Sequence, residues 1–224
     1  LFFIGLFYRD MEKFKNVVWD WNGTLLNDLQ AGVDVLNDML GRRGVAPLNV
    51  AEYQKVFGFP VIDFYKKVGF DFTKETFHEM SVDFVETYAR YEGGATLNNG
   101  VVETLDALNN QGINCYILSA LRQEELLRGI NTFNIAQYFK AIYGGNDIYA
   151  SGKVGRGLEM VGELQIDPAQ TIMVGDTLHD AEVAEALGFT PILYSGGHND
   201  KERLSQIGRV IDDFQELLEI FKEY

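Results

Sequence analysis

The chain of 224 residues contains one cysteine, Cys115. A single thiol excludes an internal disulfide framework, and no Cys/His cluster has zinc-ligand spacing. Cys115 reads as a buried strand residue in a reducing, cytoplasmic setting. Basic residues are scarce as well: 19 Lys and Arg face 33 Asp and Glu, for a formal charge of −14. So acidic a body attracts neither nucleic acid nor an anionic membrane surface. An anionic small molecule would need local positive help from a metal ion or a well-placed lysine. Long apolar runs are missing too. The stretch Leu1 to Tyr8 is apolar but far shorter than the ~20 residues that span a bilayer. Because Met11-Glu12-Lys13 follows it, the natural start is expected at Met11, with residues 1–10 an upstream remnant and 1–14 an N-terminal extension. Internal repeats and low-complexity tracts are absent.

What remains is 46% apolar and 23% charged, enough for one sizeable core and a smaller satellite domain. Val17-Val18-Trp19 is a short apolar run that stops at Asp20 and a Gly-Thr turn, which predicts a buried first strand. Residues 28–93 change character: Val33, Leu36 and Leu40 recur at helical spacing, and segments 49–57, 60–68 and 74–91 are also helical, with no strand signal. After Gly93-Gly94 strands and helices alternate again. Helices are expected over 100–111, near 121–131, around Val154, Leu158 and Val161, over 178–187 and around Phe214 to Phe221; strands over Ile113–Leu118, 141–143, 171–174 and 190–194. Strands separated by helices of ten or more residues imply right-handed crossovers. The expected fold is α/β, a doubly wound parallel sheet (15–27 and 94–224) with a small all-helical insert (28–93). Hinges are expected at Gly93-Gly94 and Asn27-Asp28.

Ligands of an open parallel sheet bind beyond the carboxyl ends of its strands. Asp20, Ser119 and Gly175-Asp176 fall there, and Lys153 begins the helix after the Gly144–Asp147 loop. Asp20 and Asp176 together suit a hard cation such as Mg²⁺, which also offsets the repulsion two carboxylates would exert on a phosphate. One Asp20 oxygen can then attack phosphorus. Lys153 balances charge, and Ser119 with nearby backbone N–H groups donates to phosphoryl oxygens. Taken singly, Asp20 could be a turn former, Ser119 a helix cap and Asp180 a first-turn decoration. Their ordered set carries the argument.

That set resembles the four motifs of the haloacid dehalogenase superfamily: Val17-Val18-Trp19-Asp20-Trp21-Asn22-Gly23-Thr24-Leu25-Leu26, then Ser119, Lys153 and Gly175-Asp176-Thr177-Leu178-His179-Asp180. The helical insert resembles the cap of phosphoglycolate-phosphatase-like members, and Gly58-Phe59-Pro60 their substrate loop. The resemblance implies a Rossmann-like core and Mg²⁺-dependent hydrolysis of a small phosphorylated metabolite through an aspartyl-phosphate. Asp20 would be the nucleophile, with Thr24, Ser119, Ala120 and Lys153 around the phosphate. Asp20, Asp176, Asp180 and the Asn22 carbonyl would form the metal site.

Position 22 departs from the pattern, because phosphatases of this family usually carry there an Asp that protonates the leaving group. Asn cannot exchange that proton, a loss typically of ~10²–10⁴-fold in rate. Three outcomes follow: a slow phosphatase using another group such as His179 or His198, action on good leaving groups, or a phosphate-ligand-binding regulatory protein. Phosphonate-cleaving relatives also lack the second Asp and use a cap lysine, for which Lys55, Lys66 and Lys67 are candidates. Phe57, Phe59, Phe64, Tyr65, Phe70 and Phe72 crowd the insert, either as its own core or as an apolar lid that excludes water.

Overall fold

The computed structural model describes residues 14–223; the expected start at Met11 and the leader before it lie outside them. Six strands form one parallel sheet: β1 (Asn16–Trp19), β4 (Asn114–Arg122), β5 (Phe139–Gly145), β6 (Thr171–Gly175), β7 (Thr190–Tyr194) and β8 (Arg209–Ile211). Their spatial order is β5-β4-β1-β6-β7-β8. β1 is central and flanked on both sides, which is why its residues form a continuous apolar run rather than an alternating one.

Side chains of successive strand residues point to opposite faces, and the two apolar cores follow that alternation. Val17, Trp19, Cys115, Ile117, Ile172 and Val174 pack on one face with α5 (Val101–Asn110), α6 (Gln123–Thr132) and α10 (Gln215–Glu223). Val18, Tyr116, Leu118 and Met173 pack on the other with α7 (Lys153–Leu164) and α8 (Leu178–Leu187). The doubly wound parallel sheet is therefore as expected. Phe14 joins the first core, its ring 6.2 Å from that of Phe221. Cys115 is a buried strand residue, and burial pushes its thiol up to about 11.

The chain leaves the sheet after β1 through a short antiparallel ribbon of β2 (Leu26–Asn27) and β3 (Thr96–Leu97). Between these strands lie α1 (Leu29–Arg42), α2 (Val50–Val56), α3 (Val61–Val68) and α4 (Phe77–Tyr91). They share an apolar core of their own, with Leu36, Met39, Tyr53, Phe64, Tyr65, Phe70 and Met80 buried in it. The start of α2 is fixed by a capping box: the Asn49 side chain accepts from Glu52 N–H while the Glu52 carboxylate accepts from Asn49 N–H.

Polar contacts seat this helical layer over the sheet. Gln54 Nε2 donates to Gly197 O (2.7 Å), and Arg203 Nη1 donates to the carbonyls of Gln54 (2.7 Å) and Phe57 (2.8 Å). Asn199 Nδ2 adds a second bond to Phe57 O. Among the described residues no helix is long and apolar enough to cross a membrane.

Ser119 differs from its expected place. β4 runs on through Arg122, so Ser119 lies inside the strand and α6 begins two residues later than expected. β8 and the β2–β3 ribbon, only two or three residues per strand, leave too little periodicity to read from sequence.

Candidate active site

Register assembles the site. Trp19 pairs with Ile117 of β4 and with Val174 of β6, so the residues just beyond these pairs, Asp20, Ser119 and Asp176, emerge together at the carboxyl edge. Lys153 enters from the first turn of α7, and Asp180 from the first turn of α8.

Asp20, Asp176 and Asp180 are buried, with ligand oxygens within 4.8 Å of one another. Lys153 Nζ donates to Asp20 Oδ1 and to Asp180 Oδ1, each at 2.6 Å. The lysine is only 3% exposed, and although burial opposes its charge, the two carboxylates hold it firmly protonated. Asp180 Oδ2 accepts from Thr177 N–H (3.0 Å) and Thr177 Oγ1 (2.6 Å), a reciprocal cap for α8 that locks the carboxylate in place. Asp180 is thus a rigid anchor for Lys153. Asp176 Oδ1 accepts from Thr24 Oγ1 (2.8 Å) and Oδ2 from His198 N–H (2.6 Å).

Burial, with Asp180 and Asp176 nearby, raises the Asp20 carboxyl to about 7 against the pull of Lys153. Burial likewise raises Asp176 to about 6. Three carboxylates balanced by one lysine leave a local excess of negative charge, and the oxygens of Asp20 and Asp176 still have lone pairs to offer. The donor set therefore fits a hard divalent cation, which takes carboxylate oxygens.

Thr24 is placed differently from the expectation that it holds phosphate. It is fully buried, and its hydroxyl donates to Asp176 rather than opening onto the cavity. The loop carrying it approaches the acidic cluster closely: Gly23 has φ +73°, and a Cβ there would lie 2.3 Å from Asp176 Oδ2. Asn98 Nδ2 holds the same loop through the carbonyls of Gly23 (3.2 Å) and Thr24 (2.7 Å). Ser119 and Ala120 do line the cavity, with Asp20, Asn22, Lys153 and Asp180. Ser119 Oγ accepts from Leu121 N–H (3.1 Å), which leaves its own proton available for an acceptor in the cavity.

A second buried pair stands beside Asn22. Asp28 Oδ2 accepts from Asn22 Nδ2 (2.7 Å) and Tyr88 Oη (2.8 Å); its Oδ1 accepts from Gly23 N–H (2.7 Å) and lies 3.3 Å from His198 Nε2. Burial pushes the Asp28 carboxyl up, but the His198 charge and these hydrogen bonds prevail and hold it below its usual range. Burial opposes charging of His198, yet Asp28 and the other carboxylates raise it to about 9. Its Nδ1 lies 3.0 Å from Tyr53 Oη, so α2 contributes directly.

Asp28, expected at a hinge, is hydrogen-bonded to Asn22, Gly23 and Tyr88 and lies beside His198. Sequence reasoning missed its role, as it missed Asn98, Tyr53 and Tyr88, because their partners lie tens of residues away. Of the two histidines singled out, His198 is buried at the site, while His179 stacks on Phe59 at 4.6 Å and sits 3.1 Å from Glu182. Lys55, Lys66 and Lys67 are exposed and none lines the cavity, so the Schiff-base alternative has no amine among them.

A family model for haloacid dehalogenase-like hydrolases matches residues 17–193, and the chain belongs to that family. It is 26% identical to a phosphoglycolate phosphatase of Rhodobacter capsulatus, over 81% of this chain and 84% of the relative. A phosphoglycolate phosphatase of Pseudomonas fluorescens (strain Pf0-1) is 28% identical over 90% of this chain and 78% of its own length. In fold, a crystal structure described as a predicted phosphatase from Clostridium acetobutylicum superposes with a TM-score of 0.78 at 20% identity, covering 95% of this chain and all of that one.

Proposed function

We propose that this hydrolase is a Mg²⁺-dependent phosphatase of small phosphorylated metabolites that works through an aspartyl-phosphate on Asp20. The observation that carries this reading is the buried contact of Asp20 with Lys153, beside Asp176 and Asp180, at the floor of a cavity roofed by the helical layer.

The residues divide the work. Asp20 attacks phosphorus as the ester P–O bond breaks, the alcohol leaves with a proton taken from solvent, and water then cleaves the aspartyl-phosphate to release inorganic phosphate and restore the Asp20 carboxylate. Lys153, locked by Asp180, favours the ionised form of Asp20 against the effect of burial and faces the phosphoryl oxygens. The Ser119 hydroxyl and the backbone at Ala120 donate to the same oxygens. Asp20, Asp176 and the Asn22 carbonyl, with Asp180 behind them, would hold the cation. When bound, it supplies charge neutralisation and polarises the phosphoryl oxygen. Residues 28–93 act as a cap that excludes water.

Position 22 supports a second reading, in which the protein binds phosphorylated ligands and turns them over slowly. The Asn22 amide donates to Asp28, so the side chain is fixed by a structural partner and brings no proton. The deciding experiment is Mg²⁺-dependent phosphate release from a panel of phosphomonoesters by the natural protein and by Asp20→Asn. Metal-dependent turnover that disappears in the variant establishes the phosphatase. No turnover by the natural protein, with phosphate mimics still bound, transfers the assignment to ligand binding.

A further inference from the structure

The cavity above Asp20 encloses about 200 Å³, smaller than the ~300–1,000 Å³ of drug-sized sites. A phosphoryl group and one compact body fill it. The strand ends and α7 contribute Asp20, Ser119 and Lys153 to its lining, whereas the far wall, supplied by the helical layer, is mostly apolar, with Leu36, Phe57, Phe64, Phe84 and Val85 beside the hydroxyls of Ser81 and Tyr88.

The basic side chains that line the cavity, among the described residues, each lie beside a carboxylate. Lys153 is held by Asp20 and Asp180, and His198 by Asp28. His179 sits beside Glu182, and Arg122 lies 3.5 Å from Glu125 and 3.8 Å from Glu124. A second anionic group on the substrate would lose its water against this wall, and to gain a cation it would have to displace a carboxylate from one. An aromatic or branched aliphatic group gains there from burial and ring contacts.

Resting on the phosphatase reading, we infer that the leaving group is a compact, uncharged, apolar alcohol, and that phosphomonoesters with a second anion, phosphoglycolate among them, are poor substrates of this chain. The substrate for which the relatives are named therefore does not transfer to it.

The test uses the full chain with Mg²⁺ and compares kcat/KM for benzyl phosphate, 4-carboxybenzyl phosphate and phosphoglycolate, with p-nitrophenyl phosphate as an activated control. Benzyl phosphate is expected to exceed both carboxylated esters by about 30-fold or more. Equal or reversed values, with the control hydrolysed, overturn the inference while the phosphatase reading stands. If the control is not hydrolysed either, the phosphatase reading falls, and calorimetry with benzylphosphonate against phosphonoacetate decides the matter. Tighter binding of the aryl compound upholds the apolar site, and tighter or equal binding of phosphonoacetate overturns it. Val85→Arg places a cation in the far wall and should shift the preference at least tenfold toward the carboxylated ester.

Discussion

At the floor of the cavity three carboxylates and a lysine are buried together, and each has named partners at hydrogen-bonding distance. At its roof, aromatic side chains from α2, α3, α4 and the segments joining them pack on one another, with Tyr53, Phe57 and Phe64 rings 5.1–5.8 Å apart. The floor tolerates little substitution, because removing one member of a buried charge set strands the others without compensation. The roof depends on volume and shape, which several apolar side chains can supply. A scaffold of this kind keeps one chemistry at its strand ends while the helical layer sets which body is presented to it.

Asp20→Asn should break the floor most severely, lowering phosphate release by about 10⁴-fold or more, ~5.5 kcal/mol in the barrier, with the fold intact by circular dichroism. Retention of turnover in this variant removes Asp20 as nucleophile.

Lys153→Met is next. It leaves Asp20 and Asp180 buried without their cation and should destabilise the protein by about 3–5 kcal/mol in urea unfolding. Millimolar Mg²⁺ should recover part of the loss. An equal loss with and without the ion contradicts the charge-balance account.

pH acts on the same cluster without any substitution. Asp20 and Asp176 are raised to about 7 and about 6 from 3.8, so their contribution is fully favourable below about 4 and is lost as pH rises through those values. His198, raised from 6.5 to about 9, contributes fully below 6.5 and loses its contribution as pH passes 9. All three slopes have one sign. Asp28 and Asp180, held low, lose their contribution only as pH falls below the usual carboxylate range. The metal-free protein should therefore gain on the order of 2–4 kcal/mol of stability between pH 8 and pH 5, and added Mg²⁺ should flatten that slope. A metal-free melting temperature that rises with pH over this interval refutes the assignment.

The smallest effect concerns position 22. Asn22→Asp sets two carboxylates at a 2.7 Å contact now made by an amide, a loss of about 1–3 kcal/mol. The exchange Asn22→Asp with Asp28→Asn should restore part of it, with a coupling of about 0.5–3 kcal/mol in a double-mutant cycle. Additive losses would mean that the two side chains are not partners.

Much of this architecture was legible in the sequence. β1 and β6 announced themselves as apolar runs ending at an Asp or Gly-Asp, and the periodic helices 178–187 and 101–110 came within a residue or so of their limits, because burial on one face fixes helical period. Asp20, Ser119, Lys153 and Asp176 were legible as a set because a parallel sheet delivers strand ends to one edge. The partners of these residues were not legible. Thr24 and Asp176 are 152 positions apart, and Asp28 and His198 are 170 apart. No local pattern records such a pairing, since the spacing carries no period and each residue alone suits a turn or a cap.

By itself, then, the sequence determined the alternating order of elements, the helical insert, the three strand-end positions and the lysine that starts a helix, all of which follow from apolar periodicity and the preference of polar residues for the ends of buried elements. Tertiary structure alone decided that Thr24 faces Asp176 instead of the cavity, that Asn22 is bound to Asp28, and that the basic side chains lining the cavity among the described residues lie beside carboxylates. Those outcomes depend on which side chains meet across the cavity, and direction and distance in three dimensions set the strength of an electrostatic or hydrogen-bonded contact.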